Sequence, residues 1–234
     1  MTSMTNRIEV IDAPSISAVA HKERHTISSS HRSALAHILR PHINLAVWRR
    51  EVPTPISNWL SRCSAEEVAT RSRDIDICVP AACVPASLGA AITAQTPRQQ
   101  ADISSLARDA AELAGLVARI SRNPKVRLRL EWVTHQACSN FHADRVPFRL
   151  VCTYHGPGTE WVSNATAERL TSPESLPPAD EIHRLTPGDV AVMRGWSNGD
   201  NAGMPLKHRS PPVDFPSEWR LFLAIDPASP AGQA

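Results

Sequence analysis

The chain has no Cys-x-x-Cys pair, and its five cysteines are an odd number. Cys63, Cys78, Cys83, Cys138 and Cys152 have no second Cys/His pair nearby at zinc-finger spacing. A disulfide framework and a zinc-finger module are therefore not expected, and a reducing cytoplasm is the expected compartment. Aromatic residues are scarce at 5%, with a single Tyr. The net charge is only +2, and the arginines are scattered among acids rather than gathered in a basic stripe. Without a basic patch or interleaved stacking aromatics, a nucleic-acid partner is not expected. Long apolar runs are also missing. The least polar stretch, Ile77 to Ala94, holds two Pro and two Cys and is broken by Gly89, which argues against a membrane partner. Met1 to Arg24 is polar and lacks the apolar centre of a signal peptide.

Proline, by contrast, is abundant, at 20 of 234 residues against an average near ~5%. That favours many turns and strand ends over a helical bundle. With 42% hydrophobic and 21% charged residues the composition is that of a globular protein, large enough for one domain or two small ones.

Residues 1–26 read as a flexible lead, 27–124 as a mainly helical part, 125–228 as a β part and 229–234 as a flexible tail. Residues 27–228 read as one structural unit. A short helix is expected over 27–40, with Ser30 as N-cap, apolar positions at Ala34, Leu35, Ile38 and Leu39, and Pro41 beyond its end. Ile43 to Arg50 alternates as a strand does. Thr54-Pro55 places proline at the start of a helix that carries Ile56, Trp59 and Leu60. Ser64-Ala65-Glu66-Glu67 has the spacing of a capping box. The segment 74–97 carries no clear pattern. The strongest helix is expected over roughly 99–122. There Ile103, Leu106, Ala110, Leu113, Val117 and Ile120 recur at steps of three and four and form one apolar stripe.

After Pro124 the period changes from helical to two. Strands are expected over 126–133, 148–154, 159–162, 189–194 and 219–225, joined by Pro/Gly turns such as Gly156-Pro157-Gly158, with no helix between them. The predicted fold class is therefore α+β: a helical N-terminal part packed on an antiparallel sandwich or barrel.

The chemistry centres on Asn140-Phe141-His142-Ala143-Asp144. In an extended segment, residues two apart point to the same face, so the His142 imidazole and the Asp144 carboxylate project together. His208, in Lys207-His208-Arg209-Ser210-Pro211, lies late in the chain and could complete a triangle. Two His and one carboxylate on one side of an ion, with open positions opposite, is the donor set of non-haem Fe(II) oxygenases. His-x-Asp also occurs in ordinary polar turns, so the pair alone does not decide. His155 and Cys138 are possible additional ligands that would close the site as zinc sites are closed. Glu160 and Trp161 read equally as substrate contacts or as an ordinary strand edge. Ser210 lacks the setting of a nucleophile, so hydrolase chemistry is not expected.

The order of these elements resembles the 2-oxoglutarate/Fe(II) dioxygenases. In them a His-x-Asp follows an early strand, a distal His precedes a late strand, and a cation lies on the strand after it. The resemblance implies a cupin-like double-stranded β-helix (jelly roll), Fe(II) and 2-oxoglutarate as cofactors, and His142, Asp144 and His208 as metal ligands. It also implies that Arg220, with Arg209 as a rival, grips the co-substrate carboxylate through its bidentate fork. Oxidative decarboxylation would then drive hydroxylation of an unknown small-molecule or protein substrate. A second likeness covers most of the chain, roughly 40–226. Asn44 to Arg50, Cys138 to Asp144, Phe148 to Trp161 and His208 to Pro211 resemble the bacterial family designated domain of unknown function 1826. Arg149 and Tyr154 fall inside its most distinctive segment and join the possible site residues. This second likeness carries no settled activity and implies a link to bacterial metal, especially zinc, homeostasis; the alternative to the oxygenase is accordingly a zinc-binding protein without oxygenase activity that uses the same ligands.

Overall fold

The computed structural model describes residues 25–71, 74–95, 100–172, 174–196 and 203–228. The expected lead falls almost wholly, and the expected tail entirely, outside the described residues. The elements are β1 (Thr26–Ser29), a 3-10 turn (Arg32–Leu39), β2 (Leu45–Trp48), α1 (Thr54–Leu60), α2 (Ala65–Arg71), β3 (Ile75–Pro80), α3 (Val84–Gln95) and α4 (Gln100–Ser121). They are followed by β4 (Lys125–Val133), β5 (Phe148–His155), β6 (Glu160–Val162), α5 (Asn164–Arg169), β7 (Ile182–Arg184), β8 (Val190–Arg194), β9 (His208–Arg209) and β10 (Arg220–Pro227).

Seven strands form one large sheet in the order β1-β2-β8-β5-β10-β4-β3, and three form a small one, β7-β6-β9. All pairings are antiparallel except β1 with β2. The protein is therefore a mixed α/β molecule built on a large antiparallel sheet. Two features differ from the expectation. The two sheets do not close into a barrel, and the N-terminal part, besides its helices, contributes strands to both sides of the large sheet, β1 and β2 on one and β3 on the other.

Alternation along the strands sorts side chains to two faces. On one face Leu128, Leu130, Leu150, Leu221, Leu223 and Ile225 pack with Trp59, Leu106, Leu113 and Val117 of α1 and α4. The apolar stripe of α4 is thus buried as its spacing predicts, at about 1.5–3 kcal/mol for each large side chain removed from water. On the other face Leu45, Val47, Val151, Ala191, Met193 and Ala224 meet Leu185 and Leu206, with Trp161 and Phe222 at the margin.

Local signals were decisive where capping or turn chemistry was complete. Ser64 N–H donates to Glu67 Oε2 (2.9 Å), and Glu67 N–H donates to Ser64 Oγ (3.2 Å), the reciprocal pair of a capping box. Gly156 has φ +77, and a Cβ there would stand 2.0 Å from the Trp219 carbonyl oxygen, so only glycine fits this turn.

Elsewhere the expectations fail for physical reasons. The range 27–40 splits into β1 and a 3-10 turn whose N-cap is His31, because Thr26–Ser29 pairs with β2 in preference to coiling. Leu39 is exposed rather than buried. A helix, α5, does lie between strands, capped by Ser163, which accepts from Thr166 N–H. The patternless segment 74–97 holds β3 and α3. None of the helices among the described residues is long and apolar enough to cross a membrane.

Candidate metal and anion site

His142 and His208 face each other across a short antiparallel bridge. His142 N–H donates to the His208 carbonyl (3.0 Å), and His208 N–H donates to that of His142 (2.9 Å). The bridge is extended one step by Ser210 N–H donating to the Cys138 carbonyl (2.9 Å). It sets the two imidazoles side by side, with ring centroids 4.7 Å apart. Asp144, two residues past His142, turns to the same side. One donor atom from each of His142, Asp144 and His208 lies within 4.8 Å of the others, so the three could hold one metal ion.

The hydrogen bonds around the group free the atoms a metal needs. His142 Nδ1 is 3.0 Å from the Asn140 carbonyl, and His208 Nδ1 is 3.3 Å from that of Leu206. A carbonyl only accepts, so each Nδ1 carries the proton and each Nε2 presents a lone pair. Asp144 Oδ1 is held by the Arg149 guanidinium. Asp144 Oδ2 is buried without a hydrogen-bond donor. It lies 3.3 Å from His208 Nε2, and two lone pairs at that distance repel unless a cation or proton lies between them. Burial pushes the Asp144 carboxyl upward, but His208, Arg149 and His142 outweigh it and hold the group below the usual carboxylate range. Burial, opposed by the Asn140 carbonyl, lowers His142. The group therefore offers one carboxylate oxygen and, with the proton of each imidazole on Nδ1, two Nε2 lone pairs, the donors a divalent ion takes.

His142 and His208 of the triad line a cavity of about 110 Å³ between the two sheets. Arg220 lies in its wall at 2% exposure. Its Nη1 donates to Ser210 Oγ (2.8 Å) and its Nη2 to Thr153 Oγ1 (3.4 Å), while Nε has no partner. No carboxylate among the described residues is bonded to it. Burial consequently lowers it to about 10, with Glu131 the largest opposing charge. It stays cationic at neutral pH, and a buried cation held only by hydroxyls suits an anionic guest. A larger groove of about 930 Å³ lies between α3 and α4, lined by residues such as Pro85, Ala86 and Gly89 and away from this chemistry.

The other sequence candidates sort clearly. Arg149 joins the triad to the sheet, donating through Nε and Nη2 to Asp226 (2.7 and 2.9 Å) as well as to Asp144. Arg209 lines the cavity, but its Nε donates to Glu160 (2.7 Å) and its guanidinium lies over the Phe141 ring, so it is already partnered. Glu160 is buried and shared between Arg209 and Arg184. Cys138 lines the cavity but is not part of the three-residue group. His155 is outside it too, stacked on Trp219 with centroids 3.9 Å apart. Trp161 meets His183 and the edge of His25. Tyr154 points to the helical face, where its hydroxyl donates to Asp109 (2.6 Å). Sequence reasoning missed Arg129, Glu131 and Thr159 in the cavity wall. Their strand alternation was visible, but it reads equally as a solvated face.

Among solved structures, the chain is similar to dioxygenase for auxin oxidation 1 from Arabidopsis thaliana, described as a complex with 2-oxoglutarate. The TM-score is 0.50 at 12% identity, covering 89% of this chain and 93% of that one. A Pseudomonas putida prolyl-4-hydroxylase scores 0.43 at 13% identity over 84% and 98%. The non-heme alpha ketoglutarate dependent epimerase SnoN from nogalamycin biosynthesis scores 0.40 at 13% over 86% and 87%. At these identities the likeness concerns the fold alone, and only the first reaches a score that bears weight. No curated protein matches the sequence. A family profile described as "Protein of unknown function (DUF1826)" matches residues 29–226, and the chain belongs to that family.

Proposed function

We propose that the protein is a non-haem Fe(II)- and 2-oxoglutarate-dependent oxygenase. We read its two sheets as the major and minor halves of an unclosed double-stranded β-helix, with the helices bracing the major half. One observation carries the reading: His142 and His208, whose donor atoms lie within 4.8 Å of one of Asp144, line the same cavity as the buried, carboxylate-free Arg220. Such a site, when loaded, would use O2 as the oxidant, one oxygen atom going into the succinate formed as 2-oxoglutarate loses CO2 and the other into a C–H bond.

This chain's own residues do the rest. The two Nε2 atoms and Asp144 Oδ2 hold the metal, and the Asn140 and Leu206 carbonyls fix the imidazole tautomers. Arg149 restricts Asp144 to a single free oxygen by occupying the other. Arg220, oriented by Ser210 and Thr153, takes the distal carboxylate of 2-oxoglutarate. Phe222, beneath the Arg220 guanidinium at 5.0 Å, gives the cavity wall an apolar surface beside that cation. The alternative, a zinc protein without oxygenase activity, would in its closed, structural form add His155 or Cys138 to these ligands, and among the described residues neither belongs to the three-residue group.

The test is anaerobic addition of Fe(II) and 2-oxoglutarate to the metal-free protein, followed by the visible spectrum. A weak charge-transfer band, present in the wild type and absent in His208→Ala, supports the reading. Tight zinc at one per chain with no such band overturns it.

A further inference from the structure

The cavity wall carries four guanidinium groups, and their partners divide them. Arg149 is saturated by Asp226 and Asp144, and Arg209 by Glu160. Arg220 is the cation assigned above to the co-substrate. That leaves Arg129 on β4. It stands across from Ala224 of β10, on the same sheet face as Glu131 and Phe222. Its Nη1 approaches Glu131 at 3.7 Å, which is a contact between charges and too long for a hydrogen bond. Its Nε and Nη2 are both buried and have no hydrogen-bond partner. Nη2 stands 3.5 Å from Asp226 Oδ2, an oxygen that already accepts from Arg149.

The identity of the two empty atoms is informative. Nε–H and Nη2–H point in parallel from one edge of the guanidinium, and that edge is the fork that binds a carboxylate through two hydrogen bonds. Arg149 uses the same edge on Asp226. Arg129 thus presents a carboxylate fork whose two buried donors make no hydrogen bond, one of them in no more than a 3.5 Å charge contact with Asp226, in a cavity that already has a place for the co-substrate. Leaving two charged donors unmet is costly, and the cost is removed when an oxyanion enters.

We infer that the fork of Arg129 receives a carboxylate of the primary substrate, so that the oxidised compound is a small carboxylic acid. The inference rests on the proposed oxygenase reading for the word "oxidised". The binding site itself does not.

The test is a titration calorimetry series with hexanoate, benzoate and phenylacetate, their neutral amides, and inorganic sulfate as probes. Each is added to wild type, Arg129→Gln and Arg129→Lys, loaded anaerobically with Fe(II) and 2-oxoglutarate, and again to the unloaded proteins. At least one carboxylate is expected to bind at one per chain, its amide not to bind, and Arg129→Gln to weaken the carboxylate at least tenfold. Arg129→Lys should recover part of the loss, since it keeps the charge without the fork. The 2-oxoglutarate band should be unchanged in both variants. Equal carboxylate binding by wild type and Arg129→Gln overturns the inference. So does the absence of any carboxylate binding, sulfate binding as tight as the carboxylates, or loss of the 2-oxoglutarate band on changing Arg129. If the wild type never forms the band but unloaded protein still binds a carboxylate in an Arg129-dependent way, the oxygenase reading fails and the carboxylate site stands.

Discussion

The two faces of the large sheet are made from the same strands and are built on opposite rules. The face toward α1 and α4 is almost wholly apolar, and its polar atoms are matched. Arg50 grips Asp109 with two hydrogen bonds (2.6 and 2.8 Å), and the Tyr154 hydroxyl completes the carboxylate (2.6 Å). Gly188, with φ +93, lets the chain pass so closely that a Cβ would meet the Arg50 carbonyl oxygen at 2.6 Å. The face toward the small sheet carries Arg129, Glu131, Arg149 and Arg220, and its buried unmatched atoms are Asp144 Oδ2, Arg220 Nε, and Arg129 Nε and Nη2. One face is complete in the protein alone, while the other is left incomplete in a pattern that fits a cation and two carboxylates. Stability resides on the first face, and binding capacity resides on the second.

The sharpest way to break that contrast is to damage the satisfied network. Asp109→Ala leaves the Arg50 charge buried without a carboxylate, its Nε still donating to the Gly188 carbonyl, and the Tyr154 hydroxyl without its acceptor. A loss of about 3–5 kcal/mol is expected, because removing one member strands the rest. Urea denaturation followed by circular dichroism measures it. A loss below about 1 kcal/mol would mean that this face does not carry the fold.

On the other face the effects should reverse in kind. His208→Ala should lower divalent-metal affinity at least about 100-fold, beyond the loss typical of outer-shell partners. The melting temperature of the metal-free protein should stay nearly constant, since the imidazole lies 3.3 Å from an unmatched carboxylate oxygen. Competition with a chromophoric chelator reads the first quantity and calorimetry the second. If the melting temperature fell as far as it does in Asp109→Ala, the triad would be a structural element and the division of labour would be lost.

The contrast also explains what was legible in the sequence. The helical face announced itself. The steps of three and four in α4 and the period of two from Val126 to Trp132 map directly onto buried positions. His142, Asp144 and His208 were legible because the spacing of an extended segment fixes which side chains share a face, and Arg220 because it lies on the next strand. Arg129 and Glu131 were not, because charged residues at alternate positions read as a solvated face until a second sheet is known to cover them. That second sheet is hard to read, since β7 spans three residues and β9 two, too few for any periodicity. Segment 74–97 was opaque for the reverse reason: α3 is apolar around much of its circumference and β3 lies at an edge, so neither shows a clean period. Asp109 carried a signal that went unused. It falls three after Leu106 and four before Leu113, inside an apolar stripe where a lone acid must find a buried partner.

A smaller effect sharpens the comparison at Arg220. Its lowered proton affinity means that the folded state disfavours the charge it carries. Arg220→Met removes that charge and fills similar space, so the ligand-free protein should gain about 1–3 kcal/mol while losing 2-oxoglutarate binding. The same quantity appears in the wild type on raising the pH. The folded group deprotonates near 10 and the unfolded one only at higher pH, so the penalty is complete below 10 and shrinks as pH rises above it. Stability that dropped in Arg220→Met would show the cation to be satisfied already, with no vacancy for a carboxylate.

The smallest expected effect lies at the seam between the faces, at His25. Its Nδ1 donates to Asn44 Oδ1 (2.6 Å) and its Nε2 accepts from Asn164 N–H (3.2 Å), so the ring is neutral and uses both nitrogens. Asn44 in turn donates to Asn164 Oδ1 (2.6 Å), which ties β2 to the start of α5. Burial, opposed by the Asn44 bond and aided by His183, lowers the affinity of His25 for a proton. A base lowered by folding is more protonated when unfolded, so its contribution is complete above the ordinary histidine range near 6.5 and is lost as pH falls below it. Protonation of Nε2 abolishes one acceptor, worth about 1 kcal/mol. The wild type should therefore lose melting temperature between neutral and mildly acidic pH. His25→Gln, which offers a donor and an acceptor but does not titrate, should lose less. His142 and His155 are lowered by burial as well and leave a residual slope in the variant. Identical slopes in the two proteins would place the acid sensitivity wholly in the cavity face and its neighbours, and would leave the seam as a passive joint between two independently behaving surfaces.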